Sequence, residues 1–286
     1  MNKPWLKHYE QGVPHQVEPP ALTLPDLLPA AAGRYPDRTA LVLAVAAAGR
    51  LFNYSISYAK LYQHVIRFAA SLQGLGVQKG DRVAIFLPNC PQFVIAFLAA
   101  AQIGAIAVPF NPLYSARETE YQLKDCGANV VIVLDRFFPI IQQVRSKTEL
   151  KHVIITRIKE YFPPLLWALY TLTKERKLPS VKLGPEDYWF PSLLLAGTPR
   201  PVAVDREETA VLLYTGGTTG ISKGVELSHR NLLVNAEQNR VWAGIRDGCE
   251  TTLAAMPLFH GFGLTCCLNL GILTGATLVL VPNPTD

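Results

Sequence analysis

VAIFLPNCPQFVIAFLAAAQIGAIAVPF, residues 83–110, carries the pattern that sets the fold class. Val83 to Leu87 is an unbroken apolar run without polar alternation, which is how a strand buried on both faces reads. Pro91 to Gln102 reads as a buried helix, and Ala105 to Pro109 as a second apolar strand. The tract Phe93 to Val108 is interrupted by Gln102 and rich in small residues, so it falls short of the roughly 20 apolar residues that a spanning helix needs. A buried helix running into a strand explains it.

The same alternation continues outward in both directions. Upstream, Lys79, Gly80 and Asp81 make a turn that Asp81 and Arg82 are expected to hold. Before it, Leu61, Val65, Phe68, Ala69 and Leu72 recur at helical spacing between Tyr58 and Leu75, and Gly74 and Gly76 close that helix. A proline-rich extended start leads into a helix-like stretch around Leu24 to Tyr35 and a short apolar run, Thr39 to Val45. Downstream come a helix at Arg117 to Cys126 and strands at Val130 to Leu134 and Val153 to Thr156. Residues 157–205 differ, because Pro163, Pro164, Pro179, Pro185, Pro191, Pro199 and Pro201 break any long element. Regular structure resumes in the strand Ala210 to Tyr214, and Ala276 to Val281 is one more apolar strand. The expected class is α/β, with layered parallel sheets flanked by helices.

Composition narrows the function. With 286 residues, 49% hydrophobic and 17% charged, the chain suits a packed globular protein and not a disordered or fibrous one. The net charge of +5, from 27 basic and 22 acidic residues, is mild and forms no long run. An acidic small molecule or an anionic lipid surface fits it as well as nucleic acid does, and neither an RNA-binding aromatic motif nor zinc-finger spacing is present. Nucleic acid is therefore not an expected partner. Cys90, Cys126, Cys249, Cys266 and Cys267 contain no Cys-x-x-Cys pair and read as scattered reduced thiols of a cytosolic protein. The N-terminus lacks the apolar core of a signal peptide.

The chemistry lies in VLLYTGGTTGISKGVELSHRN, Val211 to Asn231. A buried strand ends at Tyr214, and Thr215, Gly216, Gly217, Thr218, Thr219 and Gly220 follow as small and hydroxylated residues, with Lys223 and Gly224 beyond. Glycines let successive N–H groups turn toward one anion, threonine hydroxyls add donors, and Lys223 adds a point charge. A polyphosphate is the ligand that such a loop suits. It is not a Walker A loop, because Ser222 precedes Lys223 and Gly224 follows it. No dinucleotide fingerprint is present either: GLGVQKG at Gly74 misses the spacing by one residue, and GFGLTC at Gly261 lacks the third glycine.

TGGTTGISKG resembles the AMP-binding signature of the adenylate-forming superfamily, which includes acyl-CoA synthetases, luciferases and adenylation domains of peptide synthetases. Gly216 stands where serine is frequent, a variant familiar in bacterial long-chain acyl-CoA synthetases. Ser222 stands where proline is frequent, which is expected to leave the loop less rigid. Residues 75–123 and MPLFHGFGL, Met256 to Leu264, are also similar to the family, and the proline-rich insertion is closest to long-chain fatty-acid ligases. The resemblance implies that residues 1–50 lead into the large domain. Residues 51–286 would form part of that AMP-binding domain, with an insertion at 157–205.

The implied reaction has two halves: a carboxylate attacks the α-phosphorus of ATP to give acyl-AMP and pyrophosphate, and coenzyme A then displaces AMP. The loop residues Thr215 to Gly220 with Lys223 would hold the ATP phosphates, helped by Mg²⁺. His260 would lie beside the acyl and adenylate pocket, with a histidine merely satisfied in a turn as the other reading. His229 is read as structural, at a helix start. The family's Thr-Glu element for Mg²⁺, ribose-binding Asp, hinge and small C-terminal domain with its catalytic Lys have no counterpart before Asp286. The 286 residues alone are therefore expected not to complete acyl-CoA synthesis. An adenylation domain for an amino or aryl acid, and a non-catalytic nucleotide- or lipid-binding protein, are the competing readings. The expected partners are fatty acid, ATP and coenzyme A.

YFPPLLWALYTLTKERK, Tyr161 to Lys177, permits two readings. It is either an interfacial helix with apolar residues in a membrane boundary and basic residues at headgroups, or an insertion packed on its own domain. The first would place a cytoplasmic protein at the inner face of the membrane.

Overall fold

The computed structural model describes residues 3–47, 49–178, 180–195, 197–216 and 222–283. After the helix α1 (Leu24–Arg34), the strands β1 (Thr39–Ala47) and β2 (Arg50–Ser57) form an antiparallel hairpin. Then come α2 (Tyr58–Gly74), β3 (Arg82–Phe86), α3 (Pro91–Gln102), β4 (Ile106–Pro109), α4 (Ala116–Cys126), β5 (Val130–Leu134), α5 (Phe138–Arg145) and β6 (His152–Thr156). The insertion holds α6 (Pro164–Thr173) and the short strand β7 (Asp187–Trp189). The second half is built of β8 (Thr209–Thr215), β9 (Lys223–Ser228), α7 (His229–Trp242), β10 (Thr251–Ala254) and β11 (Thr277–Leu280).

Two sheets result. One has the order β7-β6-β5-β3-β4-β8-β9 and is parallel except for its edge strand β9. The other has the order β10-β11-β1-β2, with β10, β11 and β1 parallel and β2 antiparallel at the edge. The mixed α/β class and the helix-flanked parallel sheets follow the sequence pattern. The four-stranded sheet joins chain segments more than 200 residues apart, since Leu41 pairs with Leu278. The turn near residue 50 is the tip of the β1–β2 hairpin, and α1 with β1 belongs to the same core as α2 and α3.

Local chemistry sets the element ends. Ser115 and Glu118 form a capping box at the start of α4, and Gly127 ends that helix at φ +59°. Pro91 through Ala101 are all buried, so α3 runs through the centre of the main core. Asp81 holds the turn before β3 as expected, accepting from the Gln78 N–H at 2.8 Å, but Arg82 reaches instead to the C-terminal end of α4, donating to the carbonyls of Cys126 and Gly127 at 2.6 and 2.9 Å. Among the described residues no helix is long and apolar enough to cross a membrane.

Candidate functional site

The site is assembled at the carboxyl edge of the parallel strands, where ligands of open α/β sheets bind. β8 delivers Thr215 there, and β9 leaves from Lys223, its cross-strand partner in the antiparallel pair. Sequence reading foresaw β8 but not β9: KGVELS is exposed at the sheet edge and shows no apolar run. Thr215, Gly216 and Lys223 are exposed, and Lys223 joins no ion pair among the described residues. Gly217, Thr218, Thr219 and Gly220 lie outside the described residues.

Strand alternation sorts the side chains at this neck. Thr215 and Lys223 share a face with the pairs Leu213–Val225 and Val211–Leu227. On this face a Cβ built on Gly261 would lie 3.5 Å from the Leu213 side chain, so the segment containing His260 packs beside it. The opposite face carries Tyr214 and Gly224, and the Tyr214 hydroxyl donates to the Asp125 carboxylate on α4. Only glycine leaves room there without displacement, because a Cβ at position 224 would approach the Tyr214 ring to 3.2 Å.

Ser222 does more than replace a proline. Its hydroxyl donates to the Thr215 carbonyl at 2.9 Å, and its own carbonyl accepts from the Tyr121 hydroxyl of α4 at 3.0 Å. The neck is thus tied across itself and to α4 where proline would have stiffened it through φ.

His260 is exposed, caps the turn that follows, and accepts the Phe262 N–H on Nδ1 at 3.4 Å. Its backbone N–H bonds the Pro257 carbonyl at 3.1 Å. Gly263 is indispensable to this loop: a Cβ there would fall 2.2 Å from the Pro257 oxygen. Beyond it, Leu264–Asn269 is π-helical, a distortion frequent at functional sites.

Asn89, which sequence reading passed over, holds the loop in place. It follows β3, is nearly fully buried, and its Nδ2 donates to the carbonyls of Ala254 and Met256 at 2.8 and 2.9 Å. An asparagine between an apolar strand and a buried helix was the available signal. His229, by contrast, is structural as expected. It opens α7, is buried, and accepts the Leu24 N–H on Nδ1 at 3.2 Å. Burial pushes its imidazole down to about 4.

No group of three or more His, Cys, Asp or Glu side chains could hold a metal among the described residues.

The profile of the AMP-binding enzyme family matches residues 28–286. A long-chain-fatty-acid–CoA ligase of Bacillus subtilis (strain 168) is 36% identical over 98% of this chain and 50% of its own length. One from Salmonella typhimurium is 37% identical over 100% of this chain and 51% of its own. Among solved structures, a long-chain-fatty-acid–CoA ligase from Archaeoglobus fulgidus superposes with a TM-score of 0.76 at 28% identity, covering 96% of this chain and 50% of that one. An acetoacetyl-CoA synthetase from Streptomyces lividans shares the fold with a TM-score of 0.75 at 24% identity, over 92% of this chain and 38% of that one. The chain spans about half the length of the curated relatives it matches. With a strand–loop–strand neck facing the His260 segment and a family match over residues 28–286, this chain belongs to the AMP-binding enzyme family.

Proposed function

We propose that a protein carrying this chain is an ATP-dependent, AMP-forming long-chain fatty acid–CoA ligase, and that this chain supplies its phosphate-binding loop. The observation that carries the reading is the pairing of Thr215 with Lys223 at the carboxyl edge of the sheet, on the face turned toward the His260 segment. Adenylation brings two anions together, a carboxylate and a polyphosphate. Preorganised donors and a fixed cation lower the cost of that approach without solvent reorganisation. In this reading the Lys223 ammonium, the Thr215 hydroxyl and the loop from Gly216 to Gly220 hold the β- and γ-phosphates and the departing pyrophosphate. His260 borders the place where the carboxylate meets the α-phosphorus. Coenzyme A then takes the acyl group and releases AMP. Mg²⁺ supplies charge neutralisation when it arrives with ATP.

Residues for the ribose, for Mg²⁺ and for the acid–phosphate contact are not assigned within this chain. The 286 residues by themselves are proposed to bind ATP without completing acyl-CoA synthesis. The test is a titration of ATP into the chain and its Lys223→Ala variant, with fatty-acid-dependent pyrophosphate exchange measured in a protein that carries the chain. Loss of about 10²-fold in exchange and a clear drop in ATP affinity is expected. Unchanged affinity and exchange in the variant would refute the loop assignment. Thermal stabilisation by amino acids rather than by fatty acids would move the substrate class.

A further inference from the structure

Helix α6 presents its apolar stripe to the wrong side for a globular protein. Leu165, Ala168, Leu169 and Leu172 recur at i, i+3, i+4 and i+7, the spacing that normally faces a core. Here these residues face solvent: Leu165 is 68% exposed, Leu172 59% and Leu169 39%. The inward face is the other one, where Leu166 is buried and Tyr170 packs edge-on against Phe162 at 5.4 Å. Trp167, 46% exposed, stands at the border with the Lys159 ammonium 4.5 Å from its ring centroid.

The charge around the stripe is one-sided. Lys174, Arg176 and Arg136 are exposed and join no ion pair among the described residues. The acidic side chains nearby are turned inward: Glu175 pairs with Lys159 at 2.5 Å and Arg157 at 3.4 Å, and Asp135 lies 3.8 Å from Arg157. A symmetric contact between two copies through this face would double an uncompensated positive rim. Exposed leucines, a tryptophan at the border and cations without an acidic partner, Arg136 among them with its guanidinium 4.6 Å from the Phe137 ring centroid, together match a surface that is apolar below and anionic above.

We propose that α6 is an interfacial helix that docks the protein on an anionic lipid bilayer, with Leu165, Leu169 and Leu172 entering the headgroup–acyl boundary and Lys174, Arg176 and Arg136 lying against the headgroups. This docking is independent of the ligase reading and survives its failure.

The experiment measures binding of the protein to phosphatidylcholine vesicles with and without phosphatidylglycerol, by co-sedimentation and by quenching of tryptophan fluorescence with brominated lipid, with Trp167→Phe separating Trp167 from the other three tryptophans. The wild type is expected to bind the anionic vesicles and to be quenched. The triple variant Leu165→Ser, Leu169→Ser, Leu172→Ser should lose at least about tenfold in partition. Lys174→Gln with Arg176→Gln should lose about thirtyfold on anionic vesicles only. Circular dichroism and thermal unfolding check that the variants fold, and sedimentation velocity follows their mass. Equal vesicle binding by wild type and the triple variant would overturn the proposal. So would a wild type that ignores both kinds of vesicle, or a triple variant that loses only self-association. Binding that does not distinguish the two lipid compositions would overturn the choice of an anionic surface.

Discussion

The Leu258 N–H donates to the Asn89 side-chain oxygen at 2.8 Å, although 169 residues separate the two. Together with the two bonds from the Asn89 amide nitrogen to Ala254 and Met256, this fastens the end of the seven-stranded sheet to the end of the four-stranded one. The His260 loop therefore takes its position from a residue on the β3–α3 connection.

Removing this clamp should be costly. Asn89→Ala strands one buried N–H and two carbonyls, with an expected loss of about 3 kcal/mol. Urea unfolding checks the magnitude, and limited proteolysis checks that residues 255–262 become the first cleavage site. Asn89→Asp keeps the acceptor for Leu258 but turns a buried carboxylate oxygen on the two carbonyls, so it should be at least as destabilising as alanine near neutral pH.

Two glycines in helical backbone should respond to alanine with opposite signs. At Gly263 the backbone is helical, at φ −62° and ψ −39°, so conformation is no obstacle. The 2.2 Å approach to the Pro257 oxygen is the obstacle, and Gly263→Ala should cost about 2 kcal/mol or displace the loop. Gly33, in α1 with nothing within 4 Å of its added Cβ, should gain up to about 1 kcal/mol on the same change. Denaturation midpoints of the two variants decide it.

The tie between Tyr121 and Ser222 should be visible in ligand affinity rather than in stability. Tyr121→Phe removes only the hydroxyl that reaches the Ser222 carbonyl at the exposed neck. Unfolding should shift by less than about 0.5 kcal/mol. ATP affinity, measured by calorimetric titration, should fall about two- to fivefold, equivalent to losing one net hydrogen bond's worth of ordering.

Acid should weaken the fold through buried imidazoles. Burial holds His229 at about 4 against an ordinary 6.5, and His64 is lowered to about 4 as well, by burial and then by Lys60 and Arg67. Between these values the unfolded chain binds protons that the folded chain refuses. Stability from each histidine is thus complete above pH 6.5 and is lost as pH falls through about 4, a loss on the order of 2–3 kcal/mol for His229. Urea titrations at pH 7.5 and 4.5 measure the slope. His229→Gln, which can accept the Leu24 N–H without titrating, should flatten it.

Local pattern was sufficient where an element buries most of its residues. Residues 83–110 declare two strands and a helix because their apolar runs are broken only at Asn89, Gln92 and Gln102, whatever their partners are. TGGTTGISKG announces an anion loop because glycine and hydroxyl content act over a few residues. The β1–β2 hairpin and β9 stayed hidden for the converse reason: RLFNYSIS and KGVELS lie at sheet edges, mostly exposed, and their strand character comes from hydrogen bonding to a neighbour. The joining of β1 to β11 and the Asn89 clamp were equally illegible, and the outward stripe of α6 was one of two readings that the sequence left open. Periodicity says that a helix has an apolar face, but only the packing of Leu166 and Tyr170 determines which way that face looks. Such long-range pairings carry no local signature, because they are selected by the free energy of the whole chain rather than by any one segment.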